Sequence, residues 1–427
     1  MEDHATPDRQ RNSGELRRQL GMFDAVTIGL GSMLGAGIFV ALAPAARAAG
    51  AAMLIGLVVA AVIAYCNAIS SARLAARYPA SGGAYVYGRE RLSPFFGYLA
   101  GWGFIVGKTA SCAAMALTVG FYAWPAHGHV TAVAAVLGLT AINVLGVQKS
   151  AWLTRVIVAV VLVVLTAVVV TAVGTAGLAP LRFDHSPMSV PGVLQAAGLL
   201  FFAFAGYARI ATLGEEVREP ARTIPRAIPI ALAITLVVYA LVATAALNVL
   251  GPEGLAGASA PLVQVATVAG AGKLTVAVQI AAVLAATGSL LALILGVSRT
   301  TLAMARDRYL PAYLTAVHPR FGVPHRAEIA VGLVIAVLAA TTDIRGAIGF
   351  SSFAVLIYYA VANAAAWTLT PAEGRPPRPI PIIGMLGCVV VAFALPLTSV
   401  LAGLVVFAVG VAAYGAHRRL ARLGGRR

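Results

Sequence analysis

Long apolar runs separated by short charged connectors set the pattern of this chain. Val156 to Gly174, Ala227 to Leu250 and Leu274 to Ser298 carry no charge at all. Each is near the roughly 20 residues that a helix needs to cross a bilayer, and all are too long for buried core strands or ordinary core helices. The runs predict twelve transmembrane helices, at about 22–46, 51–72, 94–124, 130–147, 152–174, 191–214, 227–250, 272–298, 327–342, 346–369, 380–396 and 399–417. The ninth is the weakest of these, because a short uncharged stretch precedes Asp343. The last apolar run, Pro379 to His417, is too long for one helix, and Pro396 is the point where it would fold into a hairpin.

Two of these spans are interrupted. The first reads Ile28-Gly29-Leu30-Gly31-Ser32-Met33-Leu34-Gly35-Ala36-Gly37-Ile38-Phe39, and each glycine weakens a helix by about 1 kcal/mol relative to alanine. The sixth reads Phe201-Phe202-Ala203-Phe204-Ala205-Gly206-Tyr207-Ala208-Arg209, with a glycine near mid-span and an arginine three residues on. Irregular backbone survives at membrane depth only where it lines a cavity or is buried in protein. Breaks five helices apart are what an inverted five-helix repeat predicts, and such paired interruptions point to a midplane binding site. Close helix–helix contact is the simpler explanation of Gly31-x-x-x-Gly35, and of Gly206 taken alone. It does not explain Gly35-Ala36-Gly37 or the pairing.

Composition agrees with a membrane protein: 60% of the 427 residues are hydrophobic and 11% charged, where a soluble surface takes roughly a quarter. The net charge of +16 raises nucleic acid as a partner, so the positions of the basic residues decide. Of the 31 Lys and Arg, only Arg47, Arg182, Lys273 and Arg345 fall in external segments, and Lys108 and Arg209 lie within spans. The rest are cytoplasmic when the N-terminus is inside, which is the positive-inside bias of a multi-pass protein in the plasma membrane with both termini in the cytoplasm. No basic patch is interleaved with exposed aromatics, so no nucleic acid is expected. Residues 1–20 contain no cleavable apolar region, and the first helix itself is expected to direct insertion. Cys66, Cys112 and Cys388 lie in apolar helices and imply neither a disulfide nor a metal site; no cofactor is expected. The organisation is a cytoplasmic tail (1–20), a ten-helix core (21–369), two further helices (370–417) and a basic tail (418–427).

At these residues the chain resembles the amino acid–polyamine–organocation (APC) family of transporters. Residues 31–39 look like its first-helix signature, and Pro79-x-Ser81-Gly82-Gly83-x-Tyr85, followed by Gly101-Trp102, resembles its second-to-third helix connector. Phe202-x-Phe204-x-Gly206 leading to Glu215-Glu216-Val217-x-x-Pro220-x-Arg222-x-Ile224-Pro225 resembles its sixth helix and following loop. Ser298-Arg299 through Asp307-x-x-Leu310-Pro311 resembles the loop after the eighth. The resemblance implies two intertwined, inverted five-helix repeats with broken first and sixth helices plus two peripheral helices, working by alternating access. It implies that a substrate carboxylate meets backbone N–H groups at Ala36, Gly37 and Ile38, beside Gly35. The ammonium would meet carbonyls of Met33, Phe202 and Ala205, beside Gly206. Phe202 stands where the family often has an aromatic gate; core packing is the alternative. Unpaired N–H groups at one half-helix start attract an anion and free carbonyls at another's end attract a cation, and an amino acid presents both charges on one carbon.

The chain departs from the family at three points. Ala36 replaces a common serine, which leaves carboxylate recognition to the backbone. The fifth helix has no charge, which excludes the lysine that many proton-coupled relatives carry there. Lys108, mid-span in the third helix, and Arg209 appear instead. An unpaired charge at such depth is costly. For Lys108 this leaves open hydration in the substrate cavity, contact with carbonyls at the broken helices, or loss of its proton through burial, with proton coupling as the role; a fixed structural ion is the alternative. Arg209 could be an inner gate, a contact for an acidic substrate, or a cap on carbonyls near Gly206. Glu215 and Glu216 fit a solvated loop, and Asp24 could pair with a cytoplasmic arginine. The expected function is secondary active transport of amino acids, neutral or acidic because no carboxylate faces the breaks, with protons as partners or by exchange. A polyamine or organic cation transporter, or a non-transporting nutrient sensor, are the alternatives. No pore-lining stripe suggests a channel, and no nucleophile, base and orienter share one depth, so an enzyme is not expected.

Overall fold

The computed structural model describes residues 20–78, 82–146, 151–177, 189–211 and 217–424, and among them it contains helices and turns but no strand. The helices are α1 (Met22–Met33), α2 (Gly37–Val40), α3 (Leu42–Ala49), α4 (Met53–Arg77), α5 (Ala84–Arg91), α6 (Pro94–Ala123), α7 (Gly128–Val144), α8 (Ala151–Ala176) and α9 (Val190–Phe204). They continue with α10 (Ala208–Ala211), α11 (Pro220–Gly257), α12 (Pro261–Val268), α13 (Gly272–Arg306), α14 (His325–Thr341), α15 (Ile344–Trp367), α16 (Pro379–Ala394) and α17 (Leu397–Gly424).

Among the described residues, ten segments are long and apolar enough to cross a membrane. The expected ninth and eleventh spans are α14, with 17 residues, and α16, with 16, both short of that length. The chain turns between α16 and α17 at Pro396, the expected hairpin point. Two short helices lie outside the expected spans, α5 before the third and α12 before the eighth. The seventh and eighth helices overrun their apolar cores: α11 is kinked at Gly251, and α13 continues to Arg306.

The helix pairings repeat at an offset of five spans. The first span packs on the seventh (α1 on α11) and the sixth on the second (α9 on α4). The third packs on the tenth (α6 on α15) and, five on, the eighth on the fifth (α13 on α8). The first also meets the fifth, and the sixth the tenth. Because five is odd, a second set of five spans starts from the opposite side of the membrane. The crossing of α6 and α13 is its own counterpart under this offset, and these two long helices run through the centre of the bundle.

Motifs distant in sequence meet at one end of the bundle. Gly83, at φ +56°, lies so close to α15 that a Cβ would sit 2.3 Å from the Tyr358 hydroxyl, which accepts from the Ala84 N–H. Arg89 reaches Asp307 at 2.7 Å, and the Tyr85 hydroxyl donates to the same carboxylate. Asp24 pairs with Arg155. Pro79, Ala80 and Ser81, and Glu215 and Glu216, lie outside the described residues. On the connector between α15 and α16, Glu373 accepts from the Thr370 N–H and binds Arg91 through both oxygens, at 2.9 and 3.1 Å. The Thr370 N–H and the Arg91 guanidinium hold its carboxyl down to about 2. Since the folded value lies below the ordinary 4.5, this contact contributes fully above pH 4.5 and is lost as pH falls through about 2. Thermal unfolding of wild type and Glu373→Gln should therefore differ by a constant margin above pH 5 that closes between pH 4.5 and 2. A margin that does not change with acid would remove the ionised contact as its source.

Candidate functional site

The first span stops being helical at Leu34, Gly35 and Ala36 and restarts at Gly37; the sixth passes through a single 3₁₀ turn at Ala205–Tyr207 before α10. The two breaks touch through backbone. A Cβ on Gly206 would stand 2.3 Å from the Ser32 carbonyl oxygen, and one on Gly37 would stand 2.5 Å from Ala203 Cα. Gly35 faces Ser289 of α13 at 2.5 Å in the same sense, and Gly31 faces Thr154 of α8 at 2.8 Å. The glycines thus serve both expectations: the helix breaks where they cluster, and each is also a close-packing contact.

The loosened carbonyls are met by side chains from three neighbouring helices. Tyr239 of α11 donates its hydroxyl to Met33 O at 2.5 Å and lies 3.2 Å from Ala203 O, and its ring packs on Phe204 at 5.2 Å. Tyr122 of α6 donates to Phe39 O at 2.8 Å, and Ser289 reaches Gly31 O at 3.4 Å. The other polarity is treated differently. α2 begins at Gly37 with no side-chain cap at Ala36, and among the described residues no side chain bonds the donors of its first turn. A patch of apolar side chains flanks this start: Ala36 clusters with Val119 and Ala286, and Met115 and Val283 pack around them. Met33, Gly35, Ala36, Ile38, Phe202 and Ala205 are buried, whereas Gly31, Ser32 and Gly206 keep partial exposure.

With this geometry in view, the profile of the family described as "Amino acid permease" matches residues 20–413. The chain belongs to the amino acid permease family. It is 72% identical to a Mycobacterium tuberculosis protein named as an uncharacterized transporter, across 96% of this chain and 93% of that one. It is 27% identical to the branched-chain amino acid permease of Bacillus subtilis, across 95% of each. It is 28% identical to the chloroplastic cationic amino acid transporter 7 of Arabidopsis thaliana, across 82% of this chain and 66% of that one.

In this permease the residues named from sequence separate into two groups. Met33, Gly35, Ala36, Gly37, Ile38, Phe202, Ala205 and Gly206 come together at the breaks. Lys108 does not join them: α6 meets the break at Val119 and Tyr122, and Lys108 lies eleven residues earlier, about 16 Å along the helix. It is buried all the same, at 6% exposure. Arg209 sits on α10 with an exposed side chain. Sequence reasoning passed over Tyr239 and Ser289, which engage the first break. The available signal was a tyrosine midway along an otherwise apolar span, where its hydroxyl must find a partner.

The contacts of Gly37 and Gly206 decide what substitution should do. The space beside each is filled by backbone, so even one methyl forces the two breaks apart, at about 1–3 kcal/mol of overpacking. Gly37→Ala and Gly206→Ala should each lower thermal stability. Gly174→Ala, where a Cβ meets nothing within 4 Å, should be neutral or slightly stabilising. Equal behaviour of all three variants would show that the breaks do not depend on this contact. Tyr239→Phe should cost about 1 kcal/mol through the freed Met33 carbonyl.

Proposed function

We propose that this permease is a secondary active transporter of neutral or acidic amino acids, working by alternating access in the plasma membrane with both termini in the cytoplasm. The observation that carries the reading is the meeting of two broken helices at one place, with carbonyls held by Tyr239, Tyr122 and Ser289 and the donors at the start of α2 left without a side-chain partner. A carboxylate is the group that such a helix start attracts. The ammonium of the same molecule would compete with the Tyr239 hydroxyl for Met33 O, with the carbonyls of Phe202 and Ala205 nearby. Phe202 would close over the site. The apolar patch of Val119, Ala286, Met115 and Val283 suits an uncharged side chain, and the likeness to a branched-chain amino acid permease points the same way.

A cationic substrate is the second reading, favoured by the likeness to a cationic amino acid transporter. Among the described residues, however, the side chains that bond the breaks include no carboxylate: Asp24 lies on Arg155, Asp307 on Arg89 and Glu373 on Arg91, and the buried Glu328 lies on α14. A thermal-shift screen of the twenty amino acids on purified protein should give its largest stabilisation with apolar zwitterions. Decarboxylated and N-acetylated analogues of the best of them should each bind far more weakly. Competition by amines as good as that by amino acids would replace this assignment with a polyamine-like substrate.

Coupling falls to Lys108 in this reading, because α8 offers no charge in its membrane-spanning part, and Arg209 is the inner-gate residue. In proteoliposomes Lys108→Met should lose accumulation driven by a pH gradient yet keep substrate binding and exchange. Should the variant still concentrate substrate under an imposed proton gradient, Lys108 is not the coupling group.

A further inference from the structure

Glu328 lies in the first turn of α14, and its exposure is 0%. Neither of its carboxyl oxygens has a hydrogen-bond partner. One turn on, a Cβ at Gly332 would stand 2.5 Å from the Thr140 hydroxyl of α7. Further out, His129 Nδ1 meets Ala339 O at 2.7 Å, so α7 and α14 run antiparallel. Continuing that register toward the cytoplasm brings Asn143 to the level of Glu328. Asn143 is itself buried and donates to Leu291 O of α13 at 3.1 Å. Thr140 Oγ1 and His325 Nδ1, like the Glu328 oxygens, are buried without a partner. The seam between α7 and α14 therefore holds a cluster of polar atoms that nothing in the described chain satisfies.

The charged and titratable groups around Glu328 do not include an ion-pair partner. On its own helix are His325 and Arg326, the latter stacked over the Tyr313 ring at 4.3 Å. The preceding connector brings His318, 5.5 Å from His325 ring to ring, and Arg320. α13 contributes Arg299, exposed, whose charge acts on Glu328 without a salt bridge. α6 contributes Lys108 and Cys112, α7 adds no titratable group at this level, and Lys149 lies outside the described residues. A carboxylate buried without donors is an uncompensated charge, whereas the uncharged acid can sit there.

From this cluster we propose that Glu328 is a proton-binding site of the permease, protonated in the conformation described and ionised when it pairs with Arg299 in another. The step balances simply. The carboxyl gives its proton to water on the cytoplasmic side, leaving a carboxylate beside a guanidinium that is already charged. α13 carries Arg299 and, ten residues earlier, Ser289, which touches Gly31 and Gly35 at the first break. Pairing near one end of α13 therefore acts on the helix whose middle supports the candidate site. The role in transport rests on the proton-coupled reading above; the proton itself does not.

Infrared difference spectroscopy of the full chain in lipid nanodiscs tests it without any substrate. At neutral pH the wild type should show the C=O band of a protonated carboxylic acid that is absent from Glu328→Gln. Raising the pH should remove that band, and Arg299→Met should move its loss to higher pH. Failure of amino acid binding with the band present sinks the substrate assignment and leaves this site intact. A neutral-pH spectrum without a protonated carboxyl, or one whose band survives in Glu328→Gln, overturns the proposal. If the glutamine variant does not fold, an unmoved band in Arg299→Met overturns it as well.

Discussion

Gly206 resting on the Ser32 carbonyl and Gly37 resting on Ala203 are contacts between main chains, with no side chain interposed. Glycine at both contact points is what lets the two interrupted helices approach this closely. The interruption of each is also what lets the other come near. The surrounding helices are arranged to tolerate this pair of breaks. α11 supplies a hydroxyl to both of them, α13 and α6 each supply one to the first, and α9 reaches the contact from the second.

Backbone satisfaction explains the asymmetry of the site. Where packing shuts water out at membrane depth, the protein must supply a donor to a loose carbonyl or leave several kcal/mol unrecovered. The carbonyl ends are supplied, by two tyrosines and a serine. The donor end, at the start of α2, has no side chain of its own. In the function proposed above, such a site favours molecules that bring an acceptor, and the adjoining patch around Val119 and Ala286 adds apolar surface to that preference.

Much of this was legible along the chain, and the reasons differ by feature. Span positions follow from apolar length, so α6 came out at Pro94–Ala123 against an expected 94–124. The breaks followed from clustered glycines, because glycine acts locally through propensity. Partners across the bundle were not legible. Nothing near Tyr239 in sequence announces that its hydroxyl reaches Met33, some two hundred residues away. Glu328 was hidden for another reason. It stands at the edge of the least distinct span, where a charged residue ordinarily faces water, and only the packing of α7 against α14 encloses it. Lys108 was placed at the right helix and burial, but its height relative to the first break depends on where α6 crosses α1, which no local pattern encodes.

The offset of five spans has an evolutionary consequence. Each half of the core carries the same set of helix contacts, yet each enters the membrane from the opposite face. The preference for basic residues on the cytoplasmic side therefore acts on opposite loops in the two halves. A loop that must be rich in arginine in one half corresponds to a loop that must lack it in the other. Selection for orientation drives the two halves apart in sequence while selection for packing holds them together in shape. The paired glycine breaks fall where the rule on basic loops makes no demand, so nothing in that rule sets them apart between the two halves.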